Sequence, residues 1–276
     1  MGRCREECSA SSCIEDACEE IARFLHFTNN EQSSAKHDRT WEISPVLENT
    51  FKRSYRLEKA VLFDEGVIPS RSQHSAMRVH MKDTSNKWSA KYYLTCCAAT
   101  AYCARVEVYC GKKATAEVHA RPNPVVRNFK IALRGQRGKR LVITDNFIRH
   151  GIAESQFMDL YHVGTVRTNR LEWCKGITHT QKMCPKNVTR DSYKIVQSTA
   201  HSHLVAASRV DPQPANSLAT GCNIKNVSVP WEEKNGPITT MLCPQLVRDY
   251  HTEMGGGDVH NQLRLQRYSI QKNVKF

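Results

Sequence analysis

Short apolar runs bounded by polar turns mark the first two thirds of the chain. They predict strands at Ala60–Phe63, Tyr92–Cys97, Ala104–Cys110, Leu141–Thr144 and Tyr161–Arg167. Residues Ala98 to Tyr102 separate the second and third of these, a spacing that suits a hairpin. Helical periodicity interleaves with the strands. Pro122 to Leu133 puts Val125, Val126, Phe129 and Leu133 on one face, and Ile152–Leu160 follows. Pro244–Met254 is helical again, and the pattern resumes after Gly255-Gly256-Gly257 with Asp258, Val259 and Leu263. Upstream, Glu19 to His26 is a lone helical word. Residues 174–237 carry short polar runs and several prolines, and read as an insertion or second lobe.

Two carboxylates fall at junctions in this pattern. Asp145 ends the run Leu141-Val142-Ile143-Thr144, and Asp258 follows the three glycines. Acids on a strand end and a helix start, far apart in sequence, are one way a fold assembles a divalent-metal site. The alternative for Asp258 is a helix N-cap.

Charge adds a partner class. With 40 Lys+Arg against 27 Asp+Glu, the formal net charge is +13, a surplus that suits a polyanion such as double-stranded DNA. Lys112, Lys113, Arg137, Lys139 and Arg140 are the candidate nucleic-acid-binding residues, lying close to predicted strand ends. The aromatics are scattered, without a base-stacking platform. No apolar run has bilayer-spanning length and the N-terminus lacks a signal-peptide pattern, so an intracellular protein with no membrane partner is expected. The 12 cysteines then read as thiols. Cys4, Cys8, Cys13 and Cys18 lack a CxxC pair, and zinc is the minority reading for them.

Several ordered words carry a resemblance. They run Ile21-Ala22-Arg23-Phe24-Leu25-His26-Phe27-Thr28, Asp38-Arg39-Thr40-Trp41, Leu62-Phe63-Asp64-Glu65-Gly66-Val67-Ile68-Pro69-Ser70-Arg71 and Asn86-Lys87-Trp88-Ser89-Ala90-Lys91. Val106 to Lys112, Asp145-Asn146-Phe147, Val163 to Arg170, Cys243-Pro244, Asp249-Tyr250 and Gly255-Gly256-Gly257-Asp258 complete the set. Together they resemble the transposase domain of the piggyBac family along most of the chain. The resemblance implies an α/β fold with the RNase H-like core of a DDE/DDD transposase. It also implies cut-and-paste DNA transposition, Mg2+ held by three acids, a dimer acting on paired DNA ends, and nuclear localisation. Residues 1–59 would be a lead-in, 60–173 the first part of the core, 174–237 the insertion lobe and 238–276 the end of the core.

Asp145 and Asp258 match the second and third acids and are the expected catalytic and metal-binding residues. The first acid of the resemblance falls in the word Leu94-Thr95-Cys96-Cys97-Ala98-Ala99-Thr100-Ala101-Tyr102, so Cys97 stands in its place. A soft, mostly protonated thiol is a poor magnesium ligand. Asp64 or Glu65 is the alternative acid for that position, although the resemblance gives this pair a matching place of its own that is not the catalytic acid. Asn261, Ser89, the polar pair Asn216-Ser217 and the Arg209-Val210 pair are further departures. The chain ends at Phe276, before the helices that would complete the core. The expectation is a degenerate, truncated and catalytically inactive transposase relative. The alternatives are a DNA-binding module without catalysis and a relic without activity.

Overall fold

The computed structural model describes positions 29, 31, 43–69, 77–82, 87–109, 123–145, 159–169, 173–179, 192–211, 213–232, 236 and 238–266. A nine-stranded mixed sheet forms its centre. Strands β1 (Ala60–Pro69), β2 (Arg78–His80), β3 (Trp88–Cys97) and β4 (Cys103–Val108) come first, followed by β5 (Leu141–Thr144) and β6 (Tyr161–Thr165). Strands β7 (Tyr193–Gln197), β8 (Leu204–Asp211) and β9 (Gln213–Thr220) complete it, in the order β3-β1-β5-β6-β9-β8-β7. Strands β2 and β4 occupy successive stretches of the outer edge of β3.

The portion β4-β3-β1-β5-β6 has the RNase H-like pattern that the alternation of elements predicts. Strands β4, β3 and β1 are antiparallel neighbours, whereas β1, β5 and β6 run parallel. Parallel pairing requires a crossover, and helix α2 (Pro124–Ala132) lies between β4 and β5 in the chain. Asn123 caps α2, its side-chain oxygen accepting the Val125 N–H at 3.0 Å, and Pro124 opens the first turn.

Strand parity divides the core. Val61 and Phe63 face α2, packing with Leu57, Val125, Phe129 and Val142. Leu62 points to the other face, joining Leu94, Cys96, Ile143, Val163 and the helix residues Leu246 and Val247. Each large side chain sealed this way contributes about 1.5–3 kcal/mol. Helix α1 (Ile43–Ser54) packs on β4, whereas α3 (Gln245–Gln266) crosses β1, β3, β5, β6 and β9.

Three features differ from the sequence pattern. Strand β1 does not end at Phe63 but continues through Asp64-Glu65-Gly66 to Pro69. Residues 193–220, placed by sequence in a lobe of their own, add β7, β8 and β9 to the edge of the same sheet through β6. Only β10 (Asn226–Glu232) and β11 (Ile238–Pro244) form a separate ribbon among the described residues. Finally, α3 is one 22-residue helix running through all three glycines, so Asp258 lies inside the helix and is not its N-cap. The polar pair Asn216 and Ser217 is buried in β9 as expected, and Asn216 Oδ1 meets no donor among the described residues. The lone word at 19–26, the N-terminal cysteines and residues 152–158 of the helix predicted over Ile152–Leu160 lie outside the described residues. The last two residues of that helix, Asp159 and Leu160, are not helical, Asp159 turning with a φ of 55°.

Candidate active site

Two strand words are near twins. Ala60-Val61-Leu62-Phe63 precedes Asp64, and Leu141-Val142-Ile143-Thr144 precedes Asp145. In the sheet they are parallel neighbours in the register Ala60↔Leu141 to Phe63↔Thr144, so the next residues, Asp64 and Asp145, stand at the same level. Alternation along β1 puts Asp64 on the face of Leu62, which is the face that α3 covers.

The glycines of α3 set how closely that helix approaches. A Cβ on Gly256 would stand 2.6 Å from the Ala98 carbonyl oxygen and 3.0 Å from Leu62 Cδ2. One on Gly257 would lie 3.0 Å from Asp64 Oδ2. Glycine costs roughly 1 kcal/mol per position against alanine inside a helix. Here that cost lets the helix backbone lie on β1 and brings the exposed Asp258 near enough for its charge to act on Asp64.

The electrostatics of the site are felt at Asp64. Burial, the largest cause, raises the Asp64 pKa to about 6; a bond from the Glu65 N–H opposes it, and the charges of Asp145, Asp258 and Glu65 add to it. The Thr165 hydroxyl at the end of β6 donates to Asp145 Oδ1 and shares a hydrogen bond with the Tyr250 hydroxyl. Tyr250 projects from α3 into the same region. Its phenol is pushed up, first by burial, then by Asp145, Asp64 and Asp258, against the Thr165 bond. Among the described residues no group of three His, Cys, Asp or Glu side chains is drawn together tightly enough to hold a metal ion as placed. Asp145 and Asp258 act on Asp64 through their charge, and the three carboxylates are not closed around one point.

Cys97 is not in this cluster. It pairs with Val61, one residue out of phase with Leu62, and therefore faces α2. Its thiol is buried beside Tyr55, with Sγ 3.5 Å from the phenolic oxygen. Burial works to raise the thiol pKa, but bonds with Thr100, Tyr55 and nearby backbone groups outweigh it and set it below the ordinary value. Cys96 occupies the Asp64 face instead, paired with Leu62. Sequence reasoning named Asp64 only as an alternative to Cys97 and set it aside, and the twin words were the signal that could have raised it.

The proposed nucleic-acid contacts fall elsewhere. Arg137, Lys139 and Arg140 precede β5, whereas Asp145 follows it, which puts the two groups at opposite ends of that strand. Arg140 is buried and donates to the carbonyls of Leu57, Glu58, Arg137 and Gly138 and to Gln136 Oε1, a structural clamp. Lys139 pairs with Asp159 at 2.9 Å, and Arg137 is exposed. Lys112 and Lys113 lie outside the described residues. On the far side of α3, a cavity of about 350 Å³ lined by Arg209, Met241, Cys243, Arg248 and His251 stands apart from the acids.

A mixed sheet with acids level on adjacent parallel strands, and a helix bringing a third, is the arrangement of an RNase H-like transposase core. The chain belongs to the transposase family described as Transposase IS4, whose match covers residues 18–275. Its fold is similar to that of the piggyBac transposase in a synaptic complex with hairpin DNA, with a TM-score of 0.66 and 18% sequence identity. That alignment covers 89% of this chain and 49% of the other, so the chain spans about half the length of that transposase. No curated protein sequence matches it. Among the described residues no helix is long and apolar enough to cross a membrane.

Proposed function

We propose that the chain carries a metal-dependent phosphodiester-cleaving site for duplex DNA, built from Asp64, Asp145 and Asp258. The observation that carries this reading is Asp64 itself. Its carboxyl is largely buried, is raised to about 6, and has two further aspartates as its neighbours in charge. A fold gains no stability from such a set, and perturbed acids of this kind cluster where chemistry is done. Transposases of this type generally use a divalent metal, and the donor set fits one. Carboxylate oxygens are hard and anionic, and magnesium prefers such ligands. Asp64, Asp145 and Asp258 would hold the ion.

When bound, magnesium supplies a polarised phosphodiester and a water or 3′-hydroxyl nucleophile at neutral pH. The chain's own residues set the conditions for this. Asp64 loses its proton near pH 6, so it is a carboxylate at neutral pH. The Thr165 hydroxyl donates to Asp145 and is itself bonded to the Tyr250 hydroxyl, which orients the carboxylate. Asp258 is the exposed acid of the three. Cys97 has no part in this reading, and the inactivity inferred from it loses its basis. The similar transposase is held in a complex with DNA, and the +13 net charge agrees with the same partner. Action as a dimer on paired DNA ends belongs to the same proposal.

A thermal melt with and without magnesium tests it, because a ligand that binds only the native state raises the melting temperature. Magnesium is expected to raise the melt of the parent and of Cys97→Ala, but not of Asp64→Asn or Asp145→Asn. Cleavage of a labelled duplex should follow the same pattern. A parent melt indifferent to magnesium would overturn the metal-site reading and leave a DNA-binding module. Loss of the response in a folded Cys97→Ala would restore Cys97 to the site.

A further inference from the structure

The β1–β3 ribbon continues past the carboxylates as an arm. Strand β5 accompanies β1 only to Phe63, and β4 leaves β3 at Tyr92. Strands β1 and β3 stay paired as far as Pro69↔Ser89, with β2 on the outer edge from Arg78↔Ala90 to His80↔Trp88. Five strand residues at about 3.3 Å each put Pro69 roughly 17 Å beyond Asp64. Among its described residues, 65–69, 77–82 and 87–91, the arm carries Arg78, Lys82, Lys87 and Lys91 against the single acid Glu65. Lys91 is matched to Glu65 at 2.6 Å.

The arm also holds an aromatic that no core explains. Trp88 is 45% exposed. The Arg78 guanidinium lies 4.0 Å from the centre of its ring, and His80 meets it edge-on at 4.8 Å. Stacking on an indole holds a guanidinium flat and pre-orients its donors at low entropic cost. Lys82 and Lys87 are exposed beside it, joined by the Lys87 ammonium donating to the Lys82 carbonyl at 2.7 Å. The positive charge therefore lies on the side of the sheet where the acids stand, unlike Arg137 and Lys139.

We propose that this arm grips the sugar–phosphate backbone of duplex DNA, with Arg78, Lys82 and Lys87 contacting phosphates. At ~3.4 Å per base-pair step, its reach places those phosphates about five base pairs from the one at the carboxylates. The proposal rests on the reading of Asp64, Asp145 and Asp258 as a DNA-cleaving site.

Binding of the full chain to a labelled duplex, followed by fluorescence anisotropy from about 50 to 200 mM salt, tests it. Arg78→Ala and the double variant Lys82→Ala/Lys87→Ala are expected to bind more weakly. The salt slope should fall by about one for each phosphate contact removed, and Arg78→Lys should recover most of it. Both lysines are exposed, so the double variant stays informative even if Arg78→Ala fails to fold. A parent that binds with a slope unchanged in the folded double variant would overturn the arm and leave the cleavage reading intact. A parent that binds no duplex at low salt would overturn both.

Discussion

On the α1–α2 face of the sheet, Arg105 is 6% exposed and fully answered. Its guanidinium meets Glu48, Glu107 at 3.4 Å and Asn128 Oδ1 at 2.8 Å, and Glu107 also takes Arg127 and the Asn128 amide. On the α3 face, Asp64 is largely buried beside Asp145 and Asp258, and no cation ranks among the causes that shift it. Both clusters are polar and packed under a helix. One pairs two arginines with two glutamates; the other gathers charges of one sign. The first is an arrangement that folding tolerates, because every buried charge has a partner. The second costs stability, and the proposed function gives that cost a use in binding a cation.

Breaking the compensated cluster should have the largest effect. Arg105→Ala leaves Glu48 and Glu107 without their shared cation, and removing one partner of a buried ion pair typically costs about 3–5 kcal/mol. At 2–4 °C per kcal/mol for a chain of this size, the melting temperature should fall by roughly 10 °C. Cys97→Asp sharpens the contrast between the faces. An acid placed there is packed against Val61, Phe63 and Phe129, with the Tyr55 and Thr100 hydroxyls as polar neighbours, and should cost about 1–3 kcal/mol without adding any magnesium response. A stable Cys97→Asp variant with a new magnesium-dependent rise in its melt would reverse the assignment.

Removing the like-charge cluster should act in the opposite direction. The folded Asp64 keeps its proton up to about pH 6, whereas an unfolded aspartate loses it near ~3.9. Between those values the native state binds more protons, so parent stability falls as pH rises through that window. Asp64→Asn should erase this slope. At neutral pH and without metal it should be more stable than the parent by about 2–3 kcal/mol. Paired melts at pH 4 and pH 7 check both statements, and a variant less stable than the parent at neutral pH would mean that Asp64 has a cation partner in the fold.

Much of the frame was legible beforehand because period-two runs and a capped amphipathic helix leave local marks. Leu141–Thr144 and α2 lie where the pattern put them, and the charges of Asp145 and Asp258 both act on Asp64. What escaped were consequences of pairing. Asp64-Glu65-Gly66 looks like a turn after Phe63, yet β3 pairs with all three residues and keeps them in a strand. Cys96 and Cys97 are indistinguishable as words, and only the register Leu62↔Cys96 decides which thiol shares the face of Asp64. Strand β7 is an edge with little apolar surface, whereas β8 and β9 are interior strands hidden from the pattern because they bury polar residues such as Ser208, Arg209, Asn216 and Ser217. The three glycines read as a helix break because their local cost is real, and the close approach that outweighs it lies across the fold.

That last point gives the smallest and most local contrast. Gly255 and Gly256 are neighbours in α3 with opposite surroundings. A Cβ on Gly255 meets nothing within 4 Å, whereas one on Gly256 would press on the Ala98 carbonyl and Leu62. Gly256→Ala should therefore lift the helix from β1, costing about 1–3 kcal/mol by overpacking and weakening the magnesium response by drawing Asp258 away from Asp64. Gly255→Ala gains the helix propensity with no clash, and should stabilise the chain by about 0.5–1 kcal/mol while leaving the response unchanged. Melts of the two variants with and without magnesium separate the two effects. Equal behaviour would mean that the glycines serve only the helix and not the approach of the third acid.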